Sequence, residues 1–207
     1  MLKRILKENI GYLIAIVFLL FVSVVVKLYF SEYVVSLDKS ISDFFQIKLV
    51  NKTNTNFMMI VTFFGSAFSF VIIVLLSFLF VKNKSYSFYM FVNLLWVYVV
   101  SVIFKNVIMR ERPMISLIEK PSDFSFPSGH TMCSMSFYGF IVYLLLRNTK
   151  NYFLKWLIIF VFALLVIFIG ISRIYLNVHY FSDVIAGLIL GTVCLLMIIN
   201  IYNKNEK

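Results

Sequence analysis

Residues 153–171 read FLKWLIIFVFALLVIFIGI, and Lys155 is their only charge. As an α-helix, at 1.5 Å per residue, this stretch is about 28 Å long, close to the roughly 30 Å hydrocarbon thickness of a bilayer. Five further stretches have the same character: Ile10–Phe30, Phe57–Val81, Ser87–Phe104, Ser128–Leu146 and Phe181–Tyr202. Across all 207 residues 62% are hydrophobic and only 14% are charged, with a mean hydropathy of +0.97. Soluble domains are about 45–50% apolar and about 25% charged. Lipid is therefore the solvent for most of this surface. The expected fold is an all-α polytopic membrane protein, one domain over residues 1–207, with six transmembrane helices in a bundle.

The run after Lys3 and Arg4 continues to Phe30 with no small-x-small cleavage site behind it, so it reads as a retained first helix, not a secretory signal. Basic residues then set the orientation. Lys3, Arg4 and Lys7 precede helix one, Lys82 and Lys84 separate helices two and three, Arg147, Lys150 and Lys155 separate helices four and five, and Lys204 and Lys207 close the chain. All four groups fall on one side, which the positive-inside rule makes cytoplasmic, with both termini. The formal charge of +10 is spread between apolar runs, as topology and anionic lipid require, and no basic block of the kind that binds nucleic acid is present. Cys133 and Cys194 lie inside apolar stretches and read as small hydrophobes.

The outer connections differ. Residues 31–56 mix acids with lysines, and the spacing of Ile41, Phe44 and Phe45 predicts a short interfacial helix; an irregular polar loop is the equal alternative. Residues 105–127 hold Lys105, Arg110 and Arg112, and the last connection holds Arg173, His179 and Asp183. Arg112 and Arg173 oppose the orientation rule, which calls for a functional reason.

His179 stands four residues before Asp183, one helical turn, so that the carboxylate can accept from one imidazole nitrogen and leave the other free to attack. A structural His–Asp cap is the bland alternative. His130 has no acid three or four positions away and suits proton transfer to a leaving oxygen. Ser128 is a natural N-cap and Gly129 lets backbone approach a ligand, so the entry to helix four is an anion-binding turn. Lys105 and Arg112, seven apart, share a face if helix three continues outward, although Pro113 frays it. With Arg173 they make a cation set for phosphate oxygens. No grouping of His, Cys, Asp and Glu has metal-ligand spacing, and neither metal nor cofactor is expected.

Lys105-x6-Arg112-Pro113, Pro127-Ser128-Gly129-His130 and Ser172-Arg173-x5-His179-x3-Asp183 together resemble the three-part signature of the type-2 phosphatidic acid phosphatase superfamily. The motifs span 105–183, and six helices extend the likeness over nearly the whole chain. The resemblance implies a phosphohistidine on His179 oriented by Asp183, with His130 as acid, and phosphoryl oxygens held by Lys105, Arg112, Ser128, Gly129 and Arg173. It implies a lipid phosphate as substrate; undecaprenyl diphosphate, phosphatidylglycerophosphate and phosphatidic acid all suit the outer membrane face where the basic segments put the site. A six-helix transporter and a catalytically silent lipid-phosphate binder are the other function classes. The transporter is disfavoured because the polar groups cluster at one face and not at the midplane.

Overall fold

The computed structural model describes residues 31–206, so the expected helix Ile10–Phe30 lies outside the described residues. Within them the chain forms α1 (Glu32–Lys48), α2 (Lys52–Phe63), α3 (Ala67–Phe80), α4 (Lys84–Ile108), α5 (Gly129–Asn148), α6 (Tyr152–Tyr175) and α7 (Phe181–Asn205). Four of these, α4 to α7, are long and apolar enough to cross a membrane, and α2 with α3 makes a fifth span if the bent pair is counted as one. Leu75, Phe80, Trp156 and Phe160 on their outer faces are more than half exposed, as lipid-facing side chains are. Every element among the described residues is helical, and the chain is a multi-pass membrane protein.

The ends of the helices follow from local chemistry. Asn83 and Asn151 accept from the amides of Ser85 (3.0 Å) and Leu154 (3.2 Å), opening α4 and α6 at the basic connections. Residues 57–81, expected as one helix, are instead two that meet at a 44° bend. Ser66 starts the second by accepting from the Ser69 amide at 3.2 Å. Gly65 supplies the close approach: a Cβ there would lie 2.6 Å from Ile169 Cγ2 and 3.2 Å from the His130 ring. The chain thus breaks where it passes His130 of α5 and Ile169 of α6.

α5 is the central helix, packed on α4, α6 and α7. Its closest neighbour is α7, because Cβ atoms at Gly187 and Gly191 would stand 2.9 Å from the Ser128 carbonyl oxygen and 2.6 Å from that of Met132. Only glycine permits this, and without a hydrophobic drive between helices in lipid such close packing is what holds them. It also sets the start of α5 directly against the start of α7. Between α4 and α5, Asn93 and Ser136 satisfy each other: Asn93 Nδ2 donates to the Ser136 carbonyl at 3.0 Å, and Ser136 Oγ donates to Asn93 Oδ1 at 2.7 Å. Phe70, Phe137, Tyr138, Phe140 and Tyr202 fill the rest of that core with edge-on and tilted ring contacts.

At one end the segment 109–128 covers the bundle. α4 stops at Ile108 because Met109 turns left-handed (φ 51°), so helix three does not carry Arg112 outward on the face of Lys105. The two converge through the loop instead. Leu117 and Ile118 pack on Tyr175, Leu176 and Val178, while Met114 and Ile115 stay 94% and 76% exposed. Asn177, also left-handed (φ 53°), ties the last connection to this cover: its amide donates to the Ile115 carbonyl at 2.6 Å, and it accepts from Ser42 Oγ of α1 at 2.9 Å.

Candidate active site

His179 does not lie on a helix with Asp183. It precedes the N-cap Tyr180, and Asp183 is the third residue of α7, where its Oδ2 accepts from the Tyr180 amide at 2.9 Å in a capping box. The cap brings the carboxylate behind the ring. Nδ1 of His179 is 3.6 Å from Asp183 Oδ2, an ion-pair separation that exceeds hydrogen-bond length. The other nitrogen is engaged too, against expectation: Arg112 Nη1 stands 3.1 Å from Nε2. A guanidinium only donates, so Nε2 carries the lone pair and the ring proton sits on Nδ1, towards Asp183. Burial pulls the imidazole down to about 4, overriding the opposite pull of Asp183, and the ring is neutral at ordinary pH. A neutral ring with a fixed tautomer and an Nε2 lone pair aimed into a set of cations is a competent nucleophile.

The cations meet around it. Arg112, 6% exposed, also donates from Nη1 to the Val178 carbonyl (2.7 Å) and from Nε to the Asp123 carbonyl (2.8 Å). Lys105, 7% exposed, lies beside Gly129, whose added Cβ would be 4.0 Å from its Cε, and donates to the Phe124 carbonyl at 2.5 Å. Gly129 therefore has ordinary room for a side chain, and its worth is in leaving that room beside Lys105 open. Arg173, 3% exposed, donates from Nη1 to Thr62 Oγ1 at 2.6 Å, just before the α2–α3 break, and its buried Nε has no hydrogen-bond partner. A buried donor left without an acceptor is costly and marks a place for an anion.

Ser128 is the N-cap of α5 as expected, but its hydroxyl pairs with Thr131 Oγ1 (2.9 Å) and leaves the first amides of α5 uncapped by it. Its own amide donates to the Asp183 carbonyl at 3.1 Å, locking the start of α5 to that of α7. His130, in the first turn of α5, sits within electrostatic reach of Arg173, His179, Arg112 and Lys105 and of no carboxylate that acts on it comparably. All eight residues singled out in the sequence converge at this one end of the bundle.

The structure adds residues that spacing did not reveal. Asp123 bridges two of the cations, with Oδ2 2.9 Å from Lys105 Nζ and Oδ1 2.6 Å from Arg112 Nη2. Partial burial opposes its ionisation, yet the two cations prevail and hold its carboxyl below the usual carboxylate range. Asp183 is held on all sides: Arg110 Nη1 donates to Oδ1 at 2.6 Å, and Ser125 Oγ donates to Oδ2. Arg110 and Asp123 were visible between Lys105 and Pro127, but no periodic spacing links them to the motifs. Asp38, which meets Arg110 from α1, is more than 70 residues away and only tertiary folding pairs them.

This arrangement has relatives. Residues 86–207, more than half of the chain, match the PAP2 superfamily. Over 93 residues, 43% of this chain, it is 40% identical to phosphatidylglycerophosphatase B of Bacillus subtilis (strain 168), a match that spans 44% of that relative's length. Over 191 residues it is 27% identical to an undecaprenyl-diphosphatase of Sulfolobus acidocaldarius, covering 87% of this chain and 86% of that one. Its fold superposes on the crystal structure of a transmembrane PAP2-type phosphatidylglycerolphosphate phosphatase from Bacillus subtilis with a TM-score of 0.78 at 24% identity, over 92% of this chain and 94% of the other. The three motif segments that converge at one end of α4 to α7 all fall within the matched residues, and the chain belongs to the PAP2 superfamily.

Proposed function

We propose that this chain is an integral membrane phosphatase that removes phosphate from a lipid phosphomonoester or diphosphate through a phosphohistidine on His179, at the outer membrane face. The observation that carries this reading is the neutral, tautomer-fixed His179 with Nε2 beside Arg112 and Asp183 behind it. In the reaction Nε2 attacks phosphorus, and the bond from phosphorus to the lipid-side oxygen breaks. Lys105, Arg112 and Arg173, with the Ser128 hydroxyl and the Gly129 amide at the start of α5, hold the equatorial oxygens, where phosphoryl transfer concentrates charge. His130 gives its proton to the departing oxygen. Water then cleaves the P–N bond, returning the proton to His130 and releasing inorganic phosphate. Asp123 occupies the Lys105–Arg112 pair in the free protein, so the phosphate takes over its two contacts.

Membership of a superfamily with lipid-phosphate hydrolases among its named relatives supports the substrate class, as does a site at the ends of helices long and apolar enough to cross a membrane. The basic residues of the opposite helix ends support an outward-facing site with cytoplasmic termini. Ile10–Phe30 would be the sixth crossing, and α1, with Tyr33 and Ile47 exposed at 73% and 81%, would lie in the outer interface. The reaction is read as metal-free, with Lys105, Arg112 and Arg173 supplying the positive charge that the phosphoryl oxygens need.

The test is phosphate release by the purified protein from phosphatidylglycerophosphate, undecaprenyl diphosphate and phosphatidic acid, with and without EDTA. Turnover of at least one lipid, undiminished by EDTA and absent from His179→Ala, is expected. Near-wild-type release by His179→Ala would overturn the mechanism, and loss in EDTA would overturn its metal independence.

A further inference from the structure

Behind the site lies a buried ionic chain that the reaction itself does not touch. Arg110 spans two carboxylates: Nη1 is 2.6 Å from Asp183 Oδ1, and Nη2 is 2.6 Å from Asp38 Oδ2. The side chains of Asp38 and Asp183 are 2% and 0% exposed, and that of Arg110 is 11% exposed. Ser182 closes the group, donating its amide to Asp38 Oδ1 at 2.9 Å and its hydroxyl to Asp38 Oδ2 at 2.6 Å. The guanidinium carbon also stands 4.1 Å from the centre of the Tyr180 ring, between the two residues that flank it in space.

Burying two carboxylates and a guanidinium has a desolvation cost that their attraction repays poorly, so stability is a weak reason for this chain. Its geometry offers another. Asp183 is not tied to His179 by a short bond, and the 3.6 Å separation leaves the carboxylate to be placed by its other partners. Arg110 is the only cation at hydrogen-bond distance from it among the described residues, and Arg110 is in turn fixed by α1.

We infer that Arg110 and Asp38 are positioning residues for the nucleophile: Asp38 on α1 anchors Arg110, and Arg110 holds Asp183 where it orients and charges against His179. This rests on the reading of His179 as the nucleophile. With Arg110 the buried set behind the imidazole is one negative charge in excess, and without it two. The charged groups facing His179 are Asp183 on α7, Arg173 on α6, Arg112 from the outer loop and His130 on α5. Of these, the one that Arg110 neutralises is Asp183. Removing Arg110 therefore favours the protonated, non-attacking ring and moves the acidic limb of activity to higher pH.

The experiment measures kcat, KM and the pH profile of phosphate release from short-chain phosphatidic acid by the full chain in detergent. The variants are Arg110→Ala, Arg110→Lys, Asp38→Asn and the Arg110→Ala/Asp38→Asn double, beside His179→Ala. Arg110→Ala should lower kcat about 10- to 100-fold with little change in KM, the range seen for residues that orient a functional ligand from behind. Its acidic limb should shift upward, Arg110→Lys should recover part of kcat, and the double variant should be no worse than Arg110→Ala, as members of one network behave. Wild-type kcat and acidic limb in Arg110→Ala and Asp38→Asn, with His179→Ala inactive, would overturn the inference alone. So would losses that track a lowered melting temperature with an unmoved limb. Should Arg110→Ala not fold, Asp38→Asn and Arg110→Lys carry the same readouts. Activity in His179→Ala would instead overturn the underlying mechanism.

Discussion

The two ends of the bundle carry similar cations in opposite circumstances. At the end where α4 and α6 begin and α5 and α7 finish, Lys82, Lys84, Arg147, Lys150 and Lys204 are exposed. Arg147 lies 5.4 Å from the Tyr202 ring centre and reaches Asn203 Oδ1 only at 3.5 Å, so it is solvated and loosely held. At the other end Arg173, two residues before the end of its own helix, is 3% exposed, and Lys105 and Arg112 are nearly as deep. An exposed cation at a membrane boundary costs little and sets topology. A buried cluster of three cations repels itself and loses its water, and it persists only where an anion is to be bound. Position in the sequence is alike for the two sets; burial separates the exposed set from the one proposed to bind phosphate.

The largest test of that contrast is chemical. His179→Ala should lower phosphate release by about a thousandfold or more, as loss of a nucleophile does. On the proposed mechanism His179 must be neutral to attack, and burial pulls it down to about 4. Its neutral form is therefore present above that value and lost as pH falls through it. The acidic limb of kcat/KM should lie near pH 4, well below the pH 6.5 of an unperturbed imidazole. A limb at 6.5 would mean that the ring is solvated in the working enzyme. Next comes a paired comparison of arginines. Arg173→Ala should reduce kcat/KM about a hundredfold, the scale for a lost oxyanion-type donor, while Arg147→Ala should leave it within about twofold. Equal effects would erase the distinction between the ends.

Below these stands a packing test away from the chemistry. Gly191→Ala places a methyl group where a Cβ would be 2.6 Å from the Met132 carbonyl and 2.8 Å from Met135 Cβ. It should destabilise the fold by about 1–3 kcal/mol, read as a lower melting temperature in detergent. Gly129→Ala, whose new methyl group would meet Ser101 Oγ at 3.5 Å, should leave the melting temperature nearly unchanged.

These particular residues also mark how far the sequence could be read. The long apolar runs predicted α4 to α7 to within a few residues, because in lipid a spanning helix must satisfy its own backbone and little else competes. The eight candidate site residues stood out for a related reason, since Arg112 and Arg173 oppose the orientation rule, and the structure brings all eight to one end of the bundle. The break at Gly65 was not legible, since one glycine in an apolar run is tolerated in a helix, and what decides the bend is the nearness of Ile169 and His130. Nor was the origin of the His179–Asp183 pair. Four-residue spacing gave the right neighbours for the wrong reason, because α7 begins between them and a capping box does the work. Arg110, Asp38 and Asp123 were visible as charges only. Their meaning lies in contacts between α1, the 109–128 segment and α7, which no local pattern encodes.

Asp123 gives the finest test of the difference between the ends. Among the described residues it is the one carboxylate paired with two of the cations proposed to bind phosphate, and at 52% side-chain exposure it is far less committed than Asp183, which is fully buried. A half-exposed pair is screened by water and worth little, about 1 kcal/mol or less. Phosphate, with more charge and three oxygens to share, therefore displaces it readily. Asp123→Asn keeps the size of the side chain but removes the competing charge from Lys105 and Arg112. Inhibition by orthovanadate or inorganic phosphate should tighten by about three- to fivefold, since a free energy of this size corresponds to that ratio, while the melting temperature changes little. Weaker inhibition would mean that Asp123 holds the two cations in register for the phosphate. The buried end of the bundle would then be a preassembled ion network, and the carboxylate one of its members.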